Sequence, residues 1–269
     1  MSPIAPPPSP LPLQGRGKET GGTEVPPLQR DGRLLVLLYH NVGRAPRGGG
    51  LPQHWVEPGL LRAHIRYLRR VGYELVCAAR ARAWLEGEPG PERPALITFD
   101  DGLASLYELA LPVLREERAP AVVFMVAGEV GGRTTWMPNP AHRGEPMLSW
   151  EQLRELQAAG VAIGSHGLTH ARLTELPRER VAEELGESKR RLESGLGTAV
   201  EMVAYPDGAC DAATEQAARE AGYRAGFSTV LGVNTRHTDR FALRRVNVRR
   251  WAYVPLLRRK IGKAEVDSR

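Results

Sequence analysis

The central part of the chain alternates short apolar runs with longer segments whose apolar residues recur at helical spacing. Residues 34–40 (LLVLLYH) form a compact apolar run that is typical of a buried strand, and residues 60–71 repeat Leu, Ile and Val at helical intervals. The predicted strands are 34–40, 73–77, 95–99, 121–126, 161–164, 200–205, 223–228 and 241–248, and the predicted helices are 60–71, 78–85, 103–117, 149–159, 177–192 and 212–221.

Repeated strand and helix units in this order predict a parallel sheet covered by helices. Such a sheet can close into an α/β barrel or stay open as a doubly wound sheet, and the alternation alone favours neither. The best-defined helix begins at Ser149, because Gln152 stands three residues later as a capping-box partner and Gly160 follows the predicted end. The sequence indicates no internal repeat and no second folded domain.

The composition is that of an ordinary soluble chain. Of its 269 residues, 42% are hydrophobic and 25% are charged, which is enough apolar material for one large domain. The two cysteines, Cys77 and Cys210, are far apart in sequence, so a disulfide-stapled miniprotein is excluded.

The first part of the chain differs from the rest in composition. Eight of the 22 prolines lie in the first 27 residues, and such a segment buries too little apolar surface to offset the entropy of ordering. We therefore predict a disordered leader over residues 1–33. The proline run lacks the basic start and apolar stretch of a secretory signal, and no run is long enough to span a membrane, so the sequence predicts a cytoplasmic protein.

The positive charge is concentrated near the C-terminus. Residues 34–239 hold 23 Lys and Arg against 26 Asp and Glu, whereas residues 240–269 hold 10 against 2. Trp251 and Tyr253 lie among these basic residues. We favour a terminal helix that packs its apolar side on the body, and the alternative is a weak contact with anionic lipid headgroups or a charged polymer.

These charges also bear on partners and boundaries. The body is slightly acidic and carries no recognition motif, so we expect no nucleic-acid partner. We assign residues 34–262 to one catalytic domain and residues 263–269 to a C-terminal tail. The sequence indicates no particular oligomeric state.

Reactive polar residues follow several of the predicted strands, at the end where parallel α/β folds place their active sites. Asp100 and Asp101 come directly after an apolar strand and precede Gly102. Adjacent side chains point in different directions, so one carboxylate can bind a metal while the other takes a proton from water. The alternative is a turn that is capped by aspartates.

A pair of histidines follows a later strand. His166 and His170 form a His-x-x-x-His pattern, in which two imidazoles can reach one metal while an aspartate supplies a third ligand and a position stays open. Each histidine alone is more often a polar surface or core residue.

Two further strand ends have alternative interpretations. His40 is either a core histidine or a proton donor at the mouth of the barrel. The YPDG sequence at 205–208 is either a simple turn or the source of a backbone N–H for a developing oxyanion. Trp136 can line a sugar groove or pack in the core.

Two of these motifs together resemble the signature of the polysaccharide deacetylases, carbohydrate esterase family four: TFDDG at 98–102 and HGLTH at 166–170. AYPDG at 204–208, LYHNV at 38–42 and LRRV at 243–246 are similar to the branch that includes poly-N-acetylglucosamine deacetylases. The resemblance covers about residues 34–250. It implies a distorted (β/α) barrel with about seven parallel strands.

The resemblance also implies a role for each matching residue. Asp100 is expected to be the general base, His40 the general acid, and Asp101, His166 and His170 the ligands of a divalent metal. Two imidazoles and a carboxylate favour zinc.

The sequence departs from the family pattern at three of these positions. Gly167 replaces a Ser or Thr that helps to fix the loop, Ala204 replaces an arginine, and Asp207 replaces a tyrosine. Arg245 is expected to orient the base in place of the missing arginine. The resemblance implies that Tyr205, Pro206 and Asp207 contact the oxyanion and the substrate.

The expected function is metal-dependent hydrolysis of N-acetyl groups, a linear amide C–N bond, on an amino sugar or an N-acetylated polysaccharide. Because the sequence has no recognisable signal and a basic C-terminus, a deacetylase or deformylase of a small or lipid-linked amino sugar is an alternative. The three departures leave a second alternative, a glycan-binding relative without catalytic activity.

Overall fold

The computed structural model describes residues 32–45, 52–137 and 144–267. The strands in these ranges are β1 (Leu35–Tyr39), β2 (Asn41–Val42), β3 (Trp55–Val56), β4 (Glu74–Leu75), β5 (Pro94–Phe99), β6 (Ala121–Met125), β7 (Val161–Ser165), β8 (Met202–Ala204), β9 (Ala225–Phe227) and β10 (Val246–Asn247). The α-helices are α1 (Pro58–Arg70), α2 (Ala78–Leu85), α3 (Leu111–Glu116), α4 (Trp150–Ala158), α5 (Arg178–Leu196), α6 (Ala212–Glu220) and α7 (Val254–Asp267).

Seven parallel strands follow one another in the order β10-β1-β5-β6-β7-β8-β9, and the short β4 pairs with the start of β5. Residues 243–247 contact both edges of this sheet, because Leu243 forms a parallel bridge with Phe227 while β10 pairs with β1. The predicted distorted (β/α) barrel with about seven parallel strands is confirmed. Strands β2 and β3 pair separately.

Alternate residues of the strands enter two different buried clusters, as the period of two in a strand requires. One face packs across the sheet and onto Trp84 and Leu85 of α2. The other face packs against the remaining α-helices. In the first cluster, the residues that come from the strands and from the segments next to them include Leu34, Val36, Leu96, Val122, Phe124, Met202, Ala204, Ala225, Phe227 and Leu243.

The register of the strands brings the predicted reactive residues to the same end of the sheet. Tyr39 pairs with Phe99, and Met125 pairs with Ser165. The residues that follow these positions therefore leave the sheet at the same end, where the carboxyl ends of parallel strands meet.

The capping box that we predict for α4 is confirmed. The Ser149 Oγ accepts the Gln152 N–H at 3.2 Å, and the Gln152 Oε1 accepts the Ser149 N–H at 2.9 Å. The helix therefore begins with two of its free N–H groups satisfied.

The prediction of one continuous helix over 103–117 is wrong in its first half. Leu106–Ala110 forms a π-helical turn, and α3 begins only at Leu111. The Leu111 N–H donates to Leu106 O, five residues back, and Pro112 has no N–H with which to continue an α-helical ladder.

The basic C-terminal segment forms α7, which packs Leu257, Ile261 and Ala264 into the body. This is the packing that the sequence favours. The helix continues to Asp267 and so includes most of the predicted tail, 263–269. Of the predicted leader, residues 1–31 lie outside the described residues.

Within the described ranges, none of the helices combines the length and the apolar character that crossing a membrane requires.

Candidate active site

A tight turn at the end of β5 presents two adjacent carboxylates. The Asp100 N–H donates to Tyr39 O at 2.9 Å, which extends the pairing of β5 with β1 by one residue. Asp101 and Gly102 then adopt φ values of +74° and +82°. A Cβ at position 102 would lie 2.2 Å from the Met125 Sδ and 3.3 Å from the Met125 Cα, so a side chain here would displace Met125 and be strained at this positive φ, which favours glycine. The turn sends the two carboxylates in different directions.

Arg245 binds the first of these carboxylates. Its Nη1 and Nη2 lie 2.7 and 2.8 Å from the two carboxylate oxygens of Asp100, and its Nε donates to Ser228 O at 2.7 Å. Arg245 is fully buried. Burial alone would raise the pKa of Asp100, but the guanidinium outweighs it and holds that pKa below its ordinary value. The structure thus brings together the two residues that the sequence analysis paired.

Asp101 lies beside both histidines of the His-x-x-x-His pattern. Its Oδ1 is 3.6 Å from the Nε2 of His166 and 3.5 Å from the Nε2 of His170. The three candidate ligand atoms lie within 4.8 Å of one another. The His166 Nδ1–H donates to Ala204 O at 2.8 Å, which leaves the Nε2 lone pair directed toward the cluster.

The electrostatics of the cluster differ from one residue to the next. Burial would raise the pKa of Asp101, but the hydrogen bond with His170 and the nearby histidines lower it. Burial lowers the pKa of His166 to about 4. Burial also opposes protonation of His170, yet its contact with Asp101 outweighs this and raises its pKa. Asp101 is therefore ionised and His166 neutral near pH 7, as metal ligation requires.

The donor set fits a divalent metal. Two imidazole nitrogens and one carboxylate oxygen are ligands that zinc and similar metals accept, and three protein ligands leave a position open for water or substrate. Asp101, His166 and His170 are the residues that could hold it.

His40 lies at the same end of the barrel and stacks on a second histidine that the sequence analysis missed. The rings of His40 and His54 are 4.1 Å apart at 21°. His40 is among the groups that lower the pKa of both Asp100 and Asp101, so it lies close to the two carboxylates. Its Nδ1 is buried without a hydrogen-bond partner among the described residues. Burial, followed by the charge of His40, lowers the pKa of His54 to about 4.

In the YPDG turn, the hydrogen bonds of the first residues leave one backbone N–H unused by the turn itself. The Tyr205 hydroxyl donates to Phe241 O at 2.9 Å, its N–H donates to Phe227 O at 3.0 Å, and Pro206 has no N–H. Asp207 has φ +57°, and its N–H is not used in the turn's own hydrogen bonds. Within 205–207, the Asp207 N–H is thus the donor best suited to an oxyanion.

Residues 166–170, the histidine loop, are contacted by two side chains from distant parts of the chain. Glu184 of α5 accepts the N–H groups of Leu168 and Thr169. The ring of Trp136 stacks on His170 at 4.8 Å and 12°. Both contacts join distant parts of the chain, and no local pattern predicts them.

Barrels of this kind carry their reactive side chains at the carboxyl ends of the strands, and the cluster lies there. A carboxylate that can accept a proton beside an Asp-His-His cluster is an arrangement suited to hydrolysis. Comparison with known proteins identifies the family of the chain. The chain belongs to the polysaccharide deacetylase family, whose model matches residues 87–226.

Individual relatives agree with this assignment. YxkH of Bacillus subtilis (strain 168), which bears the same family name, is 29% identical over 223 residues, 82% of this chain and 73% of that protein. The poly-beta-1,6-N-acetyl-D-glucosamine N-deacetylase of Staphylococcus aureus (strain COL) is 24% identical over 258 residues, 89% of this chain and 86% of that one. The structure of IcaB from Ammonifex degensii matches with a TM-score of 0.71 and 28% identity, over 84% of this chain and 95% of that chain. The resemblance drawn from the motifs is confirmed.

Proposed function

We propose that this chain is a metal-dependent hydrolase that removes N-acetyl groups from the amino-sugar units of a polysaccharide. The observation that carries the proposal is the buried cluster of Asp101, His166 and His170 beside Asp100. The name of the Staphylococcus relative, an N-deacetylase of poly-β-1,6-N-acetyl-D-glucosamine, supports an amino-sugar polymer as the substrate.

The cluster would hold the metal, and its donor set favours zinc. When bound, such a metal supplies Lewis-acid activation of the acetyl carbonyl and of the attacking water. Asp101 would contribute negative charge, and His166 and His170 would contribute nitrogen donors.

Asp100 is proposed as the general base. Its carboxylate is ionised and is oriented by Arg245 through two hydrogen bonds of 2.7 and 2.8 Å. An oriented carboxylate can take a proton from water as the water attacks the acetyl carbon. Because the guanidinium fixes the carboxylate plane, the proton acceptor does not have to be reoriented during the reaction.

Two groups would complete the reaction. The Asp207 N–H would donate to the carbonyl oxygen as negative charge develops on it. His40, at the mouth of the barrel, would donate a proton to the departing amine. The C–N bond breaks, and the products are acetate and a free amino sugar.

Acetate release from N-acetylglucosamine oligomers tests the proposal. Asp100→Asn removes the base and should lower kcat/KM by about 100- to 10,000-fold. A chelator should abolish the activity, and added Zn²⁺ should restore it. Asp239→Asn, a change at an exposed aspartate that pairs with Arg219, should leave the rate unchanged. Activity that survives both Asp100→Asn and the chelator would contradict the mechanism.

Metal content separates the enzyme from a glycan-binding relative without activity. A chain purified with one metal ion per molecule supports the enzyme. A chain that binds the oligomers but no metal favours the binding protein.

An exposed aromatic segment favours a second candidate, a substrate that is linked to lipid or held at a membrane surface. Trp251 and Tyr253 are 58% and 63% exposed, and Leu256 beside them is 39% exposed. The Arg250 N–H donates to the carbonyl of Gln53, the residue before His54, so this segment lies close to the mouth of the barrel. Exposed aromatic rings among arginines suit an anionic lipid surface.

A further inference from the structure

The histidine loop carries two of the three candidate metal ligands, and one side of its backbone is held by the turn after β6. The carbonyl of Gly167 accepts the Ala127 N–H at 3.0 Å, and the carbonyl of Leu168 accepts the Gly128 N–H at 2.8 Å. Gly128 has to be glycine here, because a Cβ would lie 2.4 Å from the Leu168 oxygen. The carbonyl side of the loop is therefore fixed by close backbone contacts.

On the amide side, Met125 O accepts the His166 N–H and Ser165 Oγ accepts the Gly167 N–H, and a single carboxylate holds the next two residues. Glu184 of α5 accepts the N–H groups of Leu168 and Thr169 at 2.9 and 3.0 Å, and the Thr169 hydroxyl at 2.6 Å. Glu184 is 1% exposed. Burial of a carboxylate is unfavourable without hydrogen bonds. The three donors from this loop offset the cost of burying Glu184, so the carboxylate and the loop stabilise each other.

This carboxylate acts on a segment whose backbone is strained. Gly167 has φ +78°, and His170 adopts φ +62°, a region that residues other than glycine rarely occupy. Such conformations persist only where the surroundings hold them. Thr169, which contributes two of the three hydrogen bonds to Glu184, directly precedes His170 in the chain.

The two histidines are held by different means. The ring of His166 is fixed by its own hydrogen bond to Ala204 O at 2.8 Å. The ring of His170 stacks on Trp136, and its backbone follows directly from the residue that Glu184 holds. Loss of the Glu184 contacts should therefore displace His170 more than His166.

We propose that Glu184 is a positioning residue of the metal site. Its carboxylate holds the histidine loop in the conformation that places the Nε2 of His170 within 4.8 Å of the ligand atoms of Asp101 and His166. The inference rests on the proposed function, since it assumes that a metal binds this cluster. Position 167 is glycine, so the loop has no side chain of its own there, and Glu184 supplies the hydrogen bonds from another element.

Equilibrium Zn²⁺ binding by the full chain, measured in competition with a chromophoric chelator, tests this role. Glu184→Ala removes all three acceptor contacts and should weaken Zn²⁺ binding by about 10- to 100-fold, as loss of an outer partner of a metal ligand does. Glu184→Gln keeps one acceptor oxygen and should lose less. Glu183→Gln is the matched control, because Glu183 is the adjacent residue, is exposed and pairs with Arg180. It should bind Zn²⁺ like the wild type.

The absorption spectrum of the Co²⁺-loaded chain supplies a readout that a purely structural role would not change. Displacement of His170 alters the ligand geometry, so the visible bands of Glu184→Gln should differ from those of Glu183→Gln. Thr169→Val removes only one hydroxyl donor and provides a folded variant if Glu184→Ala does not fold. It should also weaken Zn²⁺ binding, by less than Glu184→Ala.

Three outcomes would decide against the proposals. Wild-type Zn²⁺ affinity and Co²⁺ spectra in both Glu184→Gln and Thr169→Val would overturn the role of Glu184. A lower melting temperature in the metal-free variants with unchanged Zn²⁺ affinity would show that the carboxylate supports only the fold, and would overturn it as well. If the wild-type chain itself binds no Zn²⁺, the proposed function fails instead.

Discussion

Arg245 and Asp100 form a buried ion pair in which each charge depends on the other. Both side chains are almost completely buried, and the guanidinium meets the carboxylate through two hydrogen bonds. Taking two charges out of water is unfavourable, and their attraction compensates only while the geometry is intact. Removal of one partner is therefore more harmful than replacement of both.

Arg245→Met should lower the free energy of unfolding by about 3–5 kcal/mol, because it leaves Asp100 buried and unpaired. The double variant Asp100→Leu/Arg245→Met should be more stable than Arg245→Met alone. Urea denaturation of the chain measures both values. Arg219→Met, at a more exposed arginine that pairs with Asp239, is the control and should cost no more than about 1 kcal/mol. A double variant less stable than Arg245→Met would contradict this account.

At the scale of elements, His64 joins three parts of the barrel. It lies on α1, accepts the Tyr39 hydroxyl of β1 at its Nδ1 at 2.9 Å, and donates from its Nε2 to Ala252 O, just before α7, at 2.5 Å. Both contacts together require the neutral ring, because a protonated Nδ1 cannot accept a hydrogen bond. Burial lowers the pKa of His64 from its ordinary 6.5 to about 4.

His64 should therefore make the stability of the chain depend on pH. Between pH 6.5 and 4 the His64 ring binds a proton in the unfolded chain but stays neutral in the folded chain. The contribution of His64 to the free energy of unfolding is therefore full above pH 6.5 and is lost as the pH falls toward 4. Between pH 7.5 and 5 this amounts to about 2 kcal/mol. In His64→Gln, the decrease in unfolding free energy over that interval should shrink by this amount, as urea denaturation at the two pH values would reveal. His237→Gln, at an exposed histidine, should keep the wild-type decrease, and an equal decrease in all three chains would refute the role of His64.

The sequence predicts those elements and site residues whose signals are local. The aspartates of 98–102 directly follow an apolar strand, and both ligand histidines lie within five consecutive residues. His54 and Glu184 gave no such signal, because they reach the site through the pairing of β2 with β3 and the packing of α5. The π-helical turn at Leu106–Ala110 has a local cause in Pro112, but apolar spacing does not distinguish it from an α-helix.

At the scale of the whole molecule, the basic C-terminal part bears on where the protein acts. The proposed membrane contact predicts that the chain sediments with vesicles that contain phosphatidylglycerol at low salt, and not at high salt. Each basic side chain near an anionic surface contributes about 1 kcal/mol, and salt screens this attraction. Trp251→Ser/Tyr253→Ser should reduce the bound fraction, because it removes the exposed rings.

Two controls accompany the vesicle experiment. Val230→Ser replaces another exposed apolar residue and should leave the bound fraction unchanged. Vesicles of phosphatidylcholine alone should bind little of the wild type. Equal sedimentation of the double variant and the wild type, or none with either, would count against a membrane contact.

The closure of the barrel by residues 243–247 has a consequence for the synthesis of the chain. Asp100 and Arg245 are separated by 145 positions, so a nascent chain whose first strands have left the ribosome still lacks the partner of its proposed catalytic base. Burial of that aspartate stays unfavourable until residues 243–247 dock. A contact of such long range has a large loop-closure cost and forms late in folding. We therefore expect catalytic competence to arise only after residues 243–247 have been synthesised and have docked, so that chains that stop before Arg245 do not hydrolyse substrate.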